Sequence, residues 1–124
     1  MSIAAWAAHQ ARSALEPFSY DAEALGPWQV AIRISHCGIC HGDLHLINDD
    51  WGVSRYPLVP GHEIIGSMTR CAIPETLDSA AAPFAALHAI MPAVELLSMD
   101  EANAAVQRVA DNRARYRMVL VNPA

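Results

Sequence analysis

The sequence contains no lysine, and all eight of its basic residues are arginines. The absence of lysine excludes Schiff-base catalysis and a lysine-containing phosphate-binding loop. The formal net charge is −5, whereas a protein that binds nucleic acid normally carries an excess of basic residues. We therefore expect no nucleic-acid partner.

Glycine is scarce, and none of the six glycines lies after Gly66. No G-x-G-x-x-G pattern is present, so the C-terminal half does not carry the glycine fingerprint of a dinucleotide-binding fold. No apolar run approaches the roughly 20 residues that a membrane span requires. The first ten residues have no basic region typical of a secretory signal. These absences predict a cytoplasmic protein without a membrane partner.

Cysteine is also rare, and its count of three is odd. In a chain without a signal, an odd count argues against a disulfide framework and favours free thiols or metal ligands. Hydrophobic residues make up 53% of the chain, which is typical of a globular protein, and the length suits one domain over residues 1–124. Four of the six histidines cluster in a short stretch with two of the cysteines: His36, His41, His45 and His62.

The hydrophobic pattern predicts a mixed α/β fold. Strands are expected over residues 3–8, 15–20, 30–35, 63–68 and 116–121, with Gly38 ending the third of them. Short helices are expected over residues 41–47 and 77–88. Ser98 and Glu101 form a capping-box pattern, and the apolar residues behind them recur with helical spacing from position 102 to position 109.

Cys40 and His62 are candidate zinc ligands, because thiolate and imidazole are donors that zinc prefers. Glu63 is placed to orient the histidine or to bind the metal itself. Cys37 and Cys40 form a C-x-x-C pair. Two interpretations of this pair stay open: it could be one half of a structural metal site, or it could be a redox pair. His41 and His45 have ligand spacing on a helix, but two solvated histidines are the simpler interpretation.

Two blocks of sequence, residues 35–45 (SHCGICHGDLH) and 56–66 (YPLVPGHEIIG), resemble the zinc-containing medium-chain alcohol dehydrogenases. The nearest branch is the cinnamyl alcohol dehydrogenase type, which prefers NADP. The resemblance implies a GroES-like β-barrel catalytic domain with a C-terminal helix and strand, and a small alcohol or aldehyde as substrate. It assigns zinc binding to Cys40 and His62, entry into the zinc shell to Glu63, a place in the proton path to His45, and part of the alcohol pocket to Leu46, Trp51 and Val53.

The chain also departs from the family pattern. The family's third zinc ligand is a cysteine, and this chain has Ala86 there, which leaves Glu63, His88 or Cys37 as the replacement. Gly42 stands where the family has a hydroxyl residue that starts the proton relay. The lobe that binds a structural zinc and the coenzyme-binding Rossmann domain have no counterpart, which indicates internal deletions near residues 68–72 and 86–90.

Together these features predict a zinc-binding catalytic-domain fragment of an NADP-type alcohol dehydrogenase with little or no hydride transfer. NADP, the cofactor of the parent family, is not expected to bind. Two alternatives stay open. One is a zinc-binding module that is non-catalytic or weakly hydrolytic, and the other is a scaffold that forms homo-oligomers through surface exposed by the deletions.

Overall fold

The computed structural model describes residues 2–26, 29–71 and 93–122. Their strands form two sheets. In the smaller sheet, β1 (Ser2–Ala8) pairs antiparallel with β2 (Leu15–Asp21). The larger sheet has the strand order β4-β3-β6-β5, and its members are β3 (Val30–Ile39), β4 (Glu63–Cys71), β5 (Val94–Ser98) and β6 (Arg117–Val121).

Two α-helices are described; a side chain caps the first, and a capped turn of 3₁₀ helix precedes the second. Helix α1 (His41–Asn48) starts after Cys40 and ends at Asp49, which adopts the left-handed conformation with φ of 57°. Helix α2 (Ala102–Ala110) follows a turn of 3₁₀ helix (Met99–Glu101). The Glu101 carboxylate accepts a hydrogen bond from the backbone N–H of Ser98 at 3.0 Å, which confirms the predicted capping box.

The strand β3 is longer than its sequence suggests. Gly38 was expected to end it, but that expectation was wrong, because Gly38 pairs with Glu63 of β4 on one side and Val119 of β6 on the other. A Cβ atom at position 38 would lie 2.7 Å from the Glu63 carboxylate. Glycine therefore allows the close approach of Glu63 rather than breaking the strand.

The C-terminal segment packs directly on the N-terminal half. Strand β6 pairs antiparallel with β3, and the parallel strand β5 lies outside it. The Asn103 amide of α2 accepts a hydrogen bond from the Leu15 N–H at 2.8 Å and donates one to the Leu15 carbonyl at 2.9 Å. The core between the two halves consists mainly of small and aliphatic side chains, including Ala8, Ile39, Ile47, Ala105, Val109, Met118 and Leu120.

The expected mixed α/β class is confirmed. Within the described residues the two sheets are separate, and a single bridge between Ala8 and Leu58 extends β1 toward the loop before β4. The helix expected over residues 77–88 and the possible ligand His88 lie outside the described residues. Neither described helix is long and apolar enough to cross a membrane.

Candidate metal centre

Cys40, His62 and Glu63, which we call the metal trio, come together at one end of the larger sheet. Cys40 caps α1, while His62 and Glu63 stand at the start of β4. One ligand atom from each lies within 4.8 Å of the others, and the Cys40 Sγ–His62 Nε2 distance is 3.6 Å. Tetrahedral zinc with ordinary Zn–S and Zn–N bonds requires about 3.5 Å between these two atoms. The Cys40–His62 pair therefore fits zinc in both chemistry and spacing, and a Glu63 oxygen lies within 4.8 Å of both ligand atoms.

A fully buried carboxylate, Asp43, supports the trio from beneath. Its Oδ1 lies 3.0 Å from His62 Nδ1 and accepts the backbone N–H of Gly61 at 2.9 Å. Its Oδ2 accepts the backbone N–H of Cys40 at 3.0 Å. A carboxylate beside Nδ1 favours the tautomer that carries its proton there, which leaves Nε2 free to bind a metal. Asp43 thus holds the orientation of the histidine ring and favours the tautomer with its proton on Nδ1.

The role of Asp43 was missed from sequence, although a signal existed. Asp43 lies three residues after the cap Cys40, and it completes a capping box whose other half is the Cys40 side chain. The backbone N–H of Gly42 points at Cys40 Sγ at 3.3 Å. The N–H groups at a helix N-terminus stabilise negative charge. The start of α1 therefore suits a thiolate ligand.

Glu63 is held by a residue that the sequence analysis did not single out. Arg117, the first residue of β6, places NH1 3.0 Å from Glu63 Oε1. The Glu63 side chain is 39% exposed and that of Arg117 is 44% exposed. No local sequence pattern connects the two residues, because only the pairing of the C-terminal strand with β3 brings them together.

Cys37, an alternative third ligand, does not belong to the metal trio. Burial raises the pKa of the Cys37 thiol, and the nearby Asp43 and Glu63 carboxylates raise it further. Its sulfur faces Gly61, where an added Cβ would lie only 2.5 Å away and where φ is +110°. Cys37 therefore favours the neutral thiol, which is a poorer metal ligand than a thiolate.

His45 lies on α1 apart from the metal trio. Its Nδ1 is 2.8 Å from Asp50 Oδ2, and its ring packs against Trp51 with centroids 5.1 Å apart. The other two residues assigned to the alcohol pocket differ in exposure: Leu46 is partly buried, and Val53 is 66% exposed. Trp51 itself is 58% exposed.

An open cleft of about 710 Å³ lies beside the metal trio. Two of the trio, Cys40 and Glu63, contribute to its lining. The polar side chains around them include His41, Asn112, Tyr116 and Arg117. The cleft offers room for a small molecule next to the metal position, and its walls come from both the N-terminal and the C-terminal parts of the chain.

Residues 26–76 match the sequence model of the alcohol dehydrogenase GroES-like domain. The matched region is similar to the GroES-like domain of alcohol dehydrogenases. Over 66 residues the chain is 53% identical to aldehyde reductase AdhA from Synechocystis sp. (strain ATCC 27184 / PCC 6803 / Kazusa), a match that covers 53% of this chain and 20% of the relative. Cinnamyl alcohol dehydrogenase 2 from Rauvolfia serpentina is 47% identical over 64 residues, which cover 52% of this chain and 18% of the relative.

Two solved structures of cinnamyl alcohol dehydrogenases also match part of the chain. A cinnamyl alcohol dehydrogenase from Sorghum bicolor matches with a TM-score of 0.57 and 39% identity, over 62% of this chain and 22% of that one. The cinnamyl alcohol dehydrogenase from Helicobacter pylori, solved with NADP(H), matches with a TM-score of 0.56 and 31% identity. The match covers 61% of this chain and 22% of that one. The resemblance to the cinnamyl alcohol dehydrogenase type is confirmed. The chain spans about one fifth of the length of the curated relatives that it matches.

Proposed function

We propose that this chain is a zinc-binding catalytic-domain fragment of an alcohol dehydrogenase, with Cys40, His62 and Glu63 as its protein ligands. The observation that carries the proposal is the 3.6 Å separation of Cys40 Sγ and His62 Nε2 above a buried carboxylate that holds His62 Nδ1. Three protein ligands leave a fourth tetrahedral position open, as in catalytic rather than structural zinc sites.

Zinc in this position would supply a Lewis acid for an alcohol or carbonyl oxygen. The chain's own residues do the rest: the metal trio holds the ion, Asp43 orients His62, and the adjacent cleft admits the substrate. Glu63 replaces the cysteine that the family pattern would place at position 86. We propose a small alcohol or aldehyde as the substrate class, in line with the names of the relatives.

The assignment of His45 to proton transfer remains a proposal. The Asp50 carboxylate lies 2.8 Å from one ring nitrogen of His45 and holds the ring in place. Gly42 has no hydroxyl that could pass a proton between the metal position and His45. The alcohol-pocket assignments of Leu46, Trp51 and Val53 are likewise proposed. We expect proton transfer through this side of the site to be slow.

We further propose one domain over residues 1–124, derived from a GroES-like barrel by internal deletions near residues 68–72 and 86–90. Such a chain would not hold NADP. Positioning of two reactants contributes several orders of magnitude to the rate of a transfer reaction. Zinc-dependent hydride transfer by this chain is therefore expected to be weak or absent, even with the metal bound.

A second candidate function is weak hydrolysis by a zinc-bound water. The open cleft beside the metal trio favours this activity, because it gives water and a small ester access to the metal position. Zinc in catalytic sites lowers the pKa of a bound water to near neutrality. Zinc-dependent cleavage of an activated ester that disappears in His62→Ala would support this activity. Cleavage that persists in His62→Ala would contradict it.

Self-association is a further candidate, and the sheet edges favour it. Strands β4 and β5 lie at the two edges of the larger sheet, and both expose large apolar side chains, including Ile65 at 70% and Leu96 at 58%. Exposed apolar edges promote pairing between chains. Sedimentation over a wide concentration range that finds only monomer would contradict a homo-oligomer.

Zinc content per chain tests the main proposal. We expect about one zinc per wild-type chain and loss of the metal in Cys40→Ala and in His62→Ala. Cys37→Ala is the matched control, since it removes a neighbouring thiol that lies outside the trio, and it should retain zinc. Wild-type protein that does not bind zinc, or a Cys40→Ala variant that keeps it, would overturn the assignment.

A further inference from the structure

We propose that Arg117 is the charge-compensating residue of the metal-free site, and that it competes with a divalent metal for Glu63. The inference rests on the proposed zinc site. It adds a residue that binds no metal but sets how tightly the metal is held, and it gives the C-terminal strand a direct effect on metal loading.

The inference rests on the ion pair between Arg117 and Glu63, one of the proposed metal ligands. Arg117 NH1 lies 3.0 Å from Glu63 Oε1, and both residues line the cleft beside Cys40. The backbone fixes this arrangement, because Met118 of β6 pairs with Ile39, the residue before Cys40. The guanidinium is therefore held close to the metal position by the sheet.

The charges around the site explain what Arg117 does there. Without a metal, the site holds two carboxylates, that of Glu63 and that of the fully buried Asp43. The two carboxylates carry charges of the same sign, and these charges repel each other. The Arg117 guanidinium offsets part of this repulsion and stabilises the empty site.

The same charge opposes the metal once it arrives. A divalent ion bound by Glu63 places two positive charges close to the guanidinium. The ion and the guanidinium then compete for the same carboxylate. Arg117 is thus expected to stabilise the metal-free form and to weaken metal binding. A residue that only tied β4 to β6 would stabilise the metal-free and the loaded forms alike, so the two roles are distinguishable.

The test compares Arg117→Gln, which keeps hydrogen-bond donors but removes the charge, with Arg113→Gln. Arg113 is a suitable control, because its side chain is 78% exposed, lies 3.9 Å from Asp111 and does not line the cleft beside the metal trio. Two quantities are measured for each full-length variant: the melting temperature with a chelator present, and the zinc dissociation constant by competition with a chromophoric chelator.

Arg117→Gln should melt at a lower temperature than wild type without metal, and it should bind zinc on the order of fivefold more tightly. Arg113→Gln should change neither quantity. Arg117→Lys, which keeps the charge, should bind zinc within about threefold of wild type. Unchanged or weaker zinc binding by Arg117→Gln would overturn the inference.

Failure of the variant to fold is also informative. If Arg117→Gln is unfolded without metal and folds when zinc is added, compensation of charge at the empty site is supported. If it stays unfolded at saturating zinc, Arg117 is a structural tie and the inference is wrong. Absence of zinc binding by wild type would refute the zinc site itself, which is a different result from equal affinities in wild type and Arg117→Gln.

Discussion

The two parts of this chain make unequal contributions to the site. Residues 29–71 supply all three members of the metal trio and the buried Asp43, whereas residues 93–122 supply none of the proposed ligands. The C-terminal part instead provides the buried Met118 and Leu120, the strand that pairs with β3, and the cation beside Glu63. The N-terminal part therefore supplies the proposed ligands, and the C-terminal part contributes packing and a neighbouring positive charge.

The largest expected effect comes from Asp43→Ala in the N-terminal part. This change leaves the N–H groups of Cys40 and Gly61 without the partner they have now, and it frees the His62 ring. A buried donor left unpaired costs about 1–3 kcal/mol; because these two donors are partly buried, we expect a loss of roughly 2–3 kcal/mol in urea unfolding, together with loss of zinc.

Asp50→Ala is the control for Asp43→Ala, since Asp50 is a partly exposed carboxylate that also contacts a histidine, His45, but lies beyond the C-terminal end of α1. It should change stability by less than about 1 kcal/mol and keep zinc. Retention of zinc in Asp43→Ala would show that the buried carboxylate is not needed to orient His62, and the separation of roles between the two parts of the chain would weaken.

A smaller effect is expected from Asn103→Ala in the C-terminal part. Its amide forms two hydrogen bonds with the Leu15 backbone, so its removal should cost about 1–2 kcal/mol while zinc content stays at the wild-type level. Gln107→Ala, which loses only an exposed contact with Asp111, is the matched control. Loss of zinc in a folded Asn103→Ala protein would show that docking of α2 governs the metal site.

The smallest effect concerns Cys37 and pH. Burial raises the pKa of its thiol above the ordinary value of 9.0, so the folded state holds this proton more tightly than the unfolded state does. The stabilisation is complete below pH 9 and is lost as pH rises through the folded-state pKa. With a chelator present, wild-type stability should fall in alkaline solution, and Cys37→Ala should lessen that fall. If the unfolding free energy falls equally steeply with pH in wild type and in Cys37→Ala, this prediction is wrong.

The sequence predicted local structure well where the pattern was local. The strand periodicity of β3, the short helix after Cys40 and the Ser98–Glu101 cap all depend on neighbouring residues. Strand β5 was not predicted, because its five residues form a run too short to indicate a strand without its partner β6. Gly38 was misread for a related reason: glycine there serves a cross-strand contact that no local pattern reveals.

The candidate site was predictable to the same extent. Cys40, His62 and Glu63 lie in short motifs, and the fold brings them together. Asp43 lay within the motif, but its role became visible only when its buried hydrogen bonds were known. The contact of Arg117 with Glu63 depends on how β6 pairs with β3, so it followed from the tertiary structure alone.

X-ray absorption at the zinc edge tests the central claim most directly, because it counts the sulfur ligands of the bound metal. With Cys40, His62 and Glu63 as ligands, the spectrum should show one sulfur at about 2.3 Å and nitrogen or oxygen neighbours at about 2.0–2.2 Å. Two sulfur neighbours would mean that Cys37 has replaced Glu63. A shell without sulfur would mean that the metal does not bind at Cys40, which would contradict the account.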